Sequence, residues 1–191
     1  GSADTLIVDL PADSRGGPTW VETSAGASNV VFTQVTSSVE GQIGLQPMGL
    51  DVERLDVDGV TPRSDGSFTI DLPTFAPSLV TAFVPTSRDP EGSRSLHLMA
   101  VRLEGERQVT LDASSTAVAI LWTTLGTGAL LRDDSLAAAR MLIETEPAVA
   151  AFARALAHDI RRRPDAVAHI VGSDLEPDFR RALSAVVDML S

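Results

Sequence analysis

"RQVTLDASSTAVAILWTTLG", residues 107–126, changes its hydrophobic period part-way along, and that change decides the fold class. In the first part Val109 and Leu111 alternate with polar neighbours, the period of a half-buried strand. From Ser114 the alternation is gone. Ala117 to Leu125 is apolar almost throughout, Ser114 or Ser115 is suited to cap a helix, and Gly126 is suited to stop it. A strand therefore passes almost directly into a helix, with no Gly/Ser-rich or Pro-rich linker, which predicts a rigid junction.

Upstream, short alternating segments rich in β-branched and aromatic residues lie between Gly, Pro, Asp and Ser clusters. They cover residues 5–10, 29–36, 50–57, 67–72, 78–84, 95–103 and 107–113, with a weaker candidate in "PTWVET" at 18–23. In the fourth, Phe68, Ile70 and Leu72 share one face. Such a series predicts an antiparallel β-sandwich of transthyretin-like or Ig-like type over residues 3–113. Gly1-Ser2 reads as a cloning scar and stands outside the fold.

Downstream, residues 114–191 predict a small helical domain of about five helices packed against the sandwich, so the fold class is α+β. The first helix is apolar on nearly every side and belongs between the two halves. The second opens at Asp133-Asp134, favourable for the helix dipole. "PAVAAFARALAHDIRRR" sets Val149, Phe152, Ala153, Leu156 and Ile160 on one stripe, and "DAVAHIVG" (165–172) predicts a short helix. Ser173 and Glu176 have capping-box spacing and open a last helix carrying Leu175, Phe179, Leu183, Val186, Val187 and Leu190 on one face.

The net charge of −11 is uneven: residues 1–113 carry 16 acidic and 7 basic side chains, residues 114–191 carry 10 and 8. Phosphate backbones are repelled by such a chain, so nucleic acid is excluded as a partner. No apolar run reaches the roughly 18 residues of a membrane span, so no membrane insertion is expected within these residues. Cysteine is absent, which removes disulfides, thiolate zinc sites and cysteine nucleophiles and leaves the redox compartment undetermined. Every Lys/Arg residue is an arginine, so no lysine-based chemistry is available.

"SDGSFTIDLP" (64–73) followed by "SLVTAFVPT" (78–86) resembles carboxypeptidase-regulatory-like domains, the transthyretin-like sandwiches of bacterial surface proteins. Asp65, Gly66, Phe68 and Ile70 match the turn and the G-x-F-x-I strand of that family, and the resemblance covers residues 50–112. It implies a non-catalytic interaction or structural module of an exported envelope or surface protein, periplasmic, lipid-anchored or at the cell surface. Its implied partner is an unidentified protein or surface polymer. "LDASSTAVAIL" (111–121) likewise looks like the junction by which some envelope proteins pass from such a sandwich to a helical tail.

Three groups of residues are candidates for chemistry. Asp56, Asp58 and Asp65 surround two Asp-Gly pairs and raise the question of calcium. They do not form an EF-hand, because Gly59 comes too early and no Glu stands at the twelfth position. An irregular loop site for calcium is the minor reading, and turn chemistry, in which Asp-Gly supplies positive φ, is the stronger one. Ser114 and Ser115 sit where a nucleophile elbow would be, and with His97 they define the alternative function, a hydrolase at the sandwich–helix junction. No Gly-x-Ser-x-Gly is present, and capping is the stronger reading of both serines. His97, His158 and His169 lack the spacing of a zinc pair. Finally, Arg161-Arg162-Arg163 offers a docking point for an acidic partner or the acidic half of another copy, against the plainer reading of a solvated helix C-terminus. Trp20 and Trp122 are expected as core anchors.

Overall fold

The computed structural model describes residues 17–20, 22–24, 26–27, 31–44, 51–85, 95–126, 133–163 and 165–190. The fold is α+β. Two antiparallel ribbons come first, β1 (Gly17–Thr19) with β4 (Val31–Thr33) and β2 (Glu22–Thr23) with β3 (Gly26–Ala27). The expected strand at residues 5–10 lies outside the described residues.

Two three-stranded sheets follow. One has the order β10-β5-β7, from β5 (Thr36–Ile43), β7 (Ser67–Pro73) and β10 (Gln108–Leu111). The other has the order β6-β8-β9, from β6 (Asp56–Val57), β8 (Ser78–Val84) and β9 (Ser95–Arg102). All pairings within these two sheets are antiparallel except β10 with β5, which is parallel. That departs from the all-antiparallel expectation. The chain leaves β9 in one sheet and crosses to the other, so β10 enters beside β5 in the same direction.

In β7, Phe68, Ile70 and Leu72 are buried and their neighbours are not, the alternation expected from the sequence. In β5, Val39 and Ile43 lie on the same inner face with Gly41 between them. Gly41 is paired with Phe68, and a β-carbon built there would stand 2.0 Å from the Phe68 ring. The ring fills the space that a side chain on the central strand would take, so any larger residue here requires Phe68 to move.

Residues 50–57, expected as one strand, instead form a 3-10 turn at Val52–Arg54 followed by β6. Val52 and Leu55 are three residues apart and both buried; a 3-10 turn has three residues per turn, so it turns both inward where a strand would oppose them.

Four α-helices appear among the described residues: α1 (Ala113–Thr124), α2 (Asp133–Thr145), α3 (Pro147–Arg162) and α4 (Glu176–Leu190). The fifth expected helix is a 3-10 turn, Ala166–His169, closed by bonds from the N–H groups of Ala166 and Ala168 to the carbonyls of Arg163 and Asp165. Helix α1 is buried nearly all round and packs on β9 and on α3, as its composition requires. Its N-cap is Asp112, two residues before Ser114 and three before Ser115, the caps expected. The Asp112 carboxylate accepts from the Ser115 N–H at 2.7 Å, and the Ser115 hydroxyl accepts from the Asp112 N–H at 2.9 Å. This reciprocal box contributes about 1 kcal/mol.

Helix α3 buries the expected stripe, and its Phe152 meets Phe179 of α4 at 5.7 Å between ring centroids. On α4 the inner face is Ala182 and Val186, while Val187 and Leu190 are exposed. Ser173 and Glu176 do not cap each other: the serine hydroxyl accepts from the Leu175 N–H, and the glutamate accepts from the Gly172 N–H. Trp122 is buried as expected, but Trp20 is 52% exposed, because it ends a two-stranded ribbon that has too little apolar face to cover it.

Gly41→Ala is expected to lower stability by about 1–3 kcal/mol through overpacking against Phe68. Chemical denaturation of Gly41→Ala and of the Gly41→Ala/Phe68→Leu pair checks it: the smaller ring-free side chain should recover part of the loss.

Candidate functional site

The two Asp-Gly pairs make different turns. Asp58 and Gly59 have φ of 47° and 92° and form a two-residue loop between Val57 and Val60, which bridge each other. Both central residues at positive φ is what a type I′ hairpin requires. The Asp56 carboxylate accepts from the Gly59 N–H at 2.7 Å, and the Asp58 carboxylate accepts from the Thr81 hydroxyl at 2.8 Å. At the second pair, only Gly66 has positive φ, and the Gly66 N–H reaches the Arg63 carbonyl at 2.8 Å. Asp65 accepts from both the hydroxyl and the N–H of Ser67, and these bonds hold its pKa below the ordinary range. Each of the three carboxylates is thus engaged by donors of its own turn or, for Asp58, of the adjacent strand. Among the described residues no three His, Asp or Glu side chains converge as a metal-ligand group.

Ser114 is exposed on the first turn of α1. Ser115 is engaged on both sides: besides closing the capping box, its hydroxyl donates to the Met99 carbonyl at 3.0 Å. His97 lies in β9 at a bulge, the extra residue between the pairs Ala82–Leu98 and Phe83–Leu96. Its side chain lies outside the described residues. His158 and His169 are exposed on different elements, and His169 faces Asp165 at 3.5 Å.

What stands beside Ser115 was not legible in the chain. A small cavity of about 190 Å³ opens where β9, β10, α1 and α2 meet, lined by Ser115, Gln108, Thr110, Glu106, Arg140 and Glu144. Its centre is an ion pair. Glu106, in the turn after β9, takes two bonds from the Arg140 guanidinium of α2, at 2.5 and 2.8 Å, and one from the Leu103 N–H at 2.8 Å. Arg140 also reaches the Val101 carbonyl at 3.2 Å and Glu144 at 3.2 Å. Burial pushes the Glu106 pKa up, but the bonds from Arg140 and Leu103 and the charges of Arg140 and Arg102 outweigh it and hold the carboxyl below its ordinary value. Arg140 is raised in turn by its bond to Glu106. Nearby, Arg102 is 1% exposed and donates to the carbonyls of Glu106 at 2.9 Å and Pro73 at 2.5 Å. Burial lowers its pKa, and Glu106 and Glu104 oppose that. These residues were legible only as isolated charges, because Arg102 meets Pro73 across 29 residues of chain and Arg140 meets Glu106 across 34.

A second, larger hollow of about 420 Å³ lies on the outer face of the β10-β5-β7 sheet. Glu40, Gln42, Thr69, Gln108 and Thr110 present their exposed side chains there, with Arg63 and Ser67 at one end. Gln42 is held by the Asp65 carbonyl at 2.8 Å. It is a surface of amides and hydroxyls with one carboxylate and one guanidinium. No protein-family model, no curated protein and no solved structure matches this chain.

Two outcomes follow from this geometry. Glu106 is depressed in the folded state, so its contribution to stability is present above the unfolded value of about pH 4.3 and is lost as pH falls through the folded pKa. Urea titrations should therefore show Glu106→Gln losing less stability than the parent protein on acidification below that value. At neutral pH the same variant should be about 1–3 kcal/mol less stable. For the aspartates, the melting temperature should be the same in millimolar calcium and in chelator, because their oxygens already accept bonds from the protein; a calcium-dependent rise abolished by Asp58→Ala would instead establish an ion site.

Proposed function

We propose that this chain is a non-catalytic interaction module of an exported bacterial envelope or surface protein, meeting an extended polar ligand on the outer face of the β10-β5-β7 sheet. The observation that carries the reading is the hollow itself. Glu40, Thr69, Gln108 and Thr110 converge there, and no hydrogen bond to any of these side chains is formed within the described residues. The groups with reactive potential are arranged in the opposite way: the Ser115 hydroxyl is occupied by Asp112 and Met99, and the Glu106 carboxylate by Arg140 and Leu103.

Two three-stranded sheets that share one buried cluster, and the Asp65-Gly66 turn leading into Phe68 and Ile70, support reading the β half as a transthyretin-like sandwich of the carboxypeptidase-regulatory-like kind. Export is the setting in which such modules work, and a surface polysaccharide or an extended peptide is the ligand class that amide and hydroxyl rows suit. Backbone amide NMR with soluble bacterial glycans and extended polar peptides tests the reading. We expect saturable shifts confined to residues around Glu40, Thr69, Gln108 and Thr110, weakened by Gln108→Ala. Shifts that saturate on another face, or turnover of a chromogenic ester that is lost on Ser115→Ala in a variant still folded, would overturn it in favour of a different interface or of the hydrolase.

A further inference from the structure

We propose that the exposed face of α3 docks a short acidic segment of a partner polypeptide. Arg154, His158, Arg161 and Arg162 are all exposed, and their spacing of four, seven and eight residues places them on one side of the helix. From 154 to 162 there is a single carboxylate, Asp159, which turns away from solvent and is paired with Arg163. The arginines elsewhere on the helices have partners: Arg140 with Glu106, Arg163 with Asp159, Arg180 with Glu176 and Arg181 with Asp178. Among the described residues Arg154, Arg161 and Arg162 form no ion pair, and the Arg161 side chain reaches only the Ala157 carbonyl at 3.4 Å.

In a chain with 26 acidic residues to 15 basic, unpaired guanidiniums do not arise from a shortage of carboxylates. The negative end of the helix dipole accounts for Arg161 and Arg162 in the last turn, but not for Arg154 two turns earlier.

The length of the face limits the partner. Arg154 to Arg162 spans about 12 Å of helix, which an extended segment covers in about four residues. A longer polyanion would run on over a surface of net charge −11. Guanidinium groups pair with carboxylates in a two-pronged geometry, which suits Asp and Glu side chains. This surface is separate from the hollow of the β10-β5-β7 sheet, and neither proposal depends on the other.

Fluorescence anisotropy of a labelled hexaglutamate peptide, at low and at physiological salt, is the test. We expect saturable binding that weakens with salt and falls about tenfold or more in Arg154→Glu/Arg161→Glu, a rim-type charge effect on a short ligand. The control, Arg180→Glu/Arg181→Glu, changes the net charge equally but removes arginines that already have partners, and should lose far less. Circular dichroism verifies each fold, and Arg154→Gln/Arg161→Gln replaces the reversal if it does not fold. Equal losses in the two double variants, or no saturable binding, would overturn the proposal. So would sedimentation showing that the protein self-associates through Arg154 and Arg161, which would make a second copy the occupant.

Discussion

From Leu98 to Arg102 strand β9 is buried on both faces, yet among the described residues it has a neighbouring strand on only one side. Its outer backbone groups therefore need partners that no strand supplies, since a buried unpaired N–H or C=O costs about 1–3 kcal/mol. The partners come from side chains. Thr116 accepts the Met99 N–H at 2.9 Å, Ser115 and Thr116 donate to the Met99 carbonyl, and Arg140 donates to the Val101 carbonyl. Just beyond the strand, Glu106 accepts the Leu103 N–H. These bonds fix where α1 begins, where α2 lies and how the turn at 103–106 closes. They also keep β9 from extending the other sheet through β10, so the two sheets remain separate at this seam.

The same constraint accounts for the charged side chains gathered around this seam. Arg102 fastens the turn after β7 to the turn after β9, through the carbonyls of Pro73 and Glu106. A guanidinium has five N–H donors and no acceptor, so it suits a site lined by carbonyls. Glu106 and Arg140 are part of this framework. What is left for recognition is at the periphery: amides and hydroxyls on the outer face of one sheet, and guanidiniums on the outer face of α3. The proposed interaction module rests on that division, with Glu40, Thr69, Gln108 and Thr110 on one surface and Arg154 and Arg162 on the other.

Much of this was legible in the chain wherever burial acts on one element at a time. The period change at residues 107–126, the inner face Phe68-Ile70-Leu72, the stripe of α3 and the all-round apolar α1 follow from hydrophobic spacing, because each side chain's exposure is set by the local helix or strand period. Positive φ at Asp58-Gly59 follows from residue chemistry. Strand β5 was harder to read: the strand expected over 29–36 corresponds to β4, and β5 begins at Thr36 and runs on to Ile43, with serine and glycine at positions that normally carry apolar side chains. Its glycine makes sense only once Phe68 lies across it.

Tertiary structure alone decided the parallel pairing of β10 with β5, the exposure of Trp20 and the ion pair of Glu106 with Arg140. The seam cavity and the sheet hollow belong with these. Periodicity records which side of its own element a residue faces, and the chain states that directly. Which residue from a distant segment arrives opposite it depends on how the elements pack, and the energy of that meeting exists only after they have met.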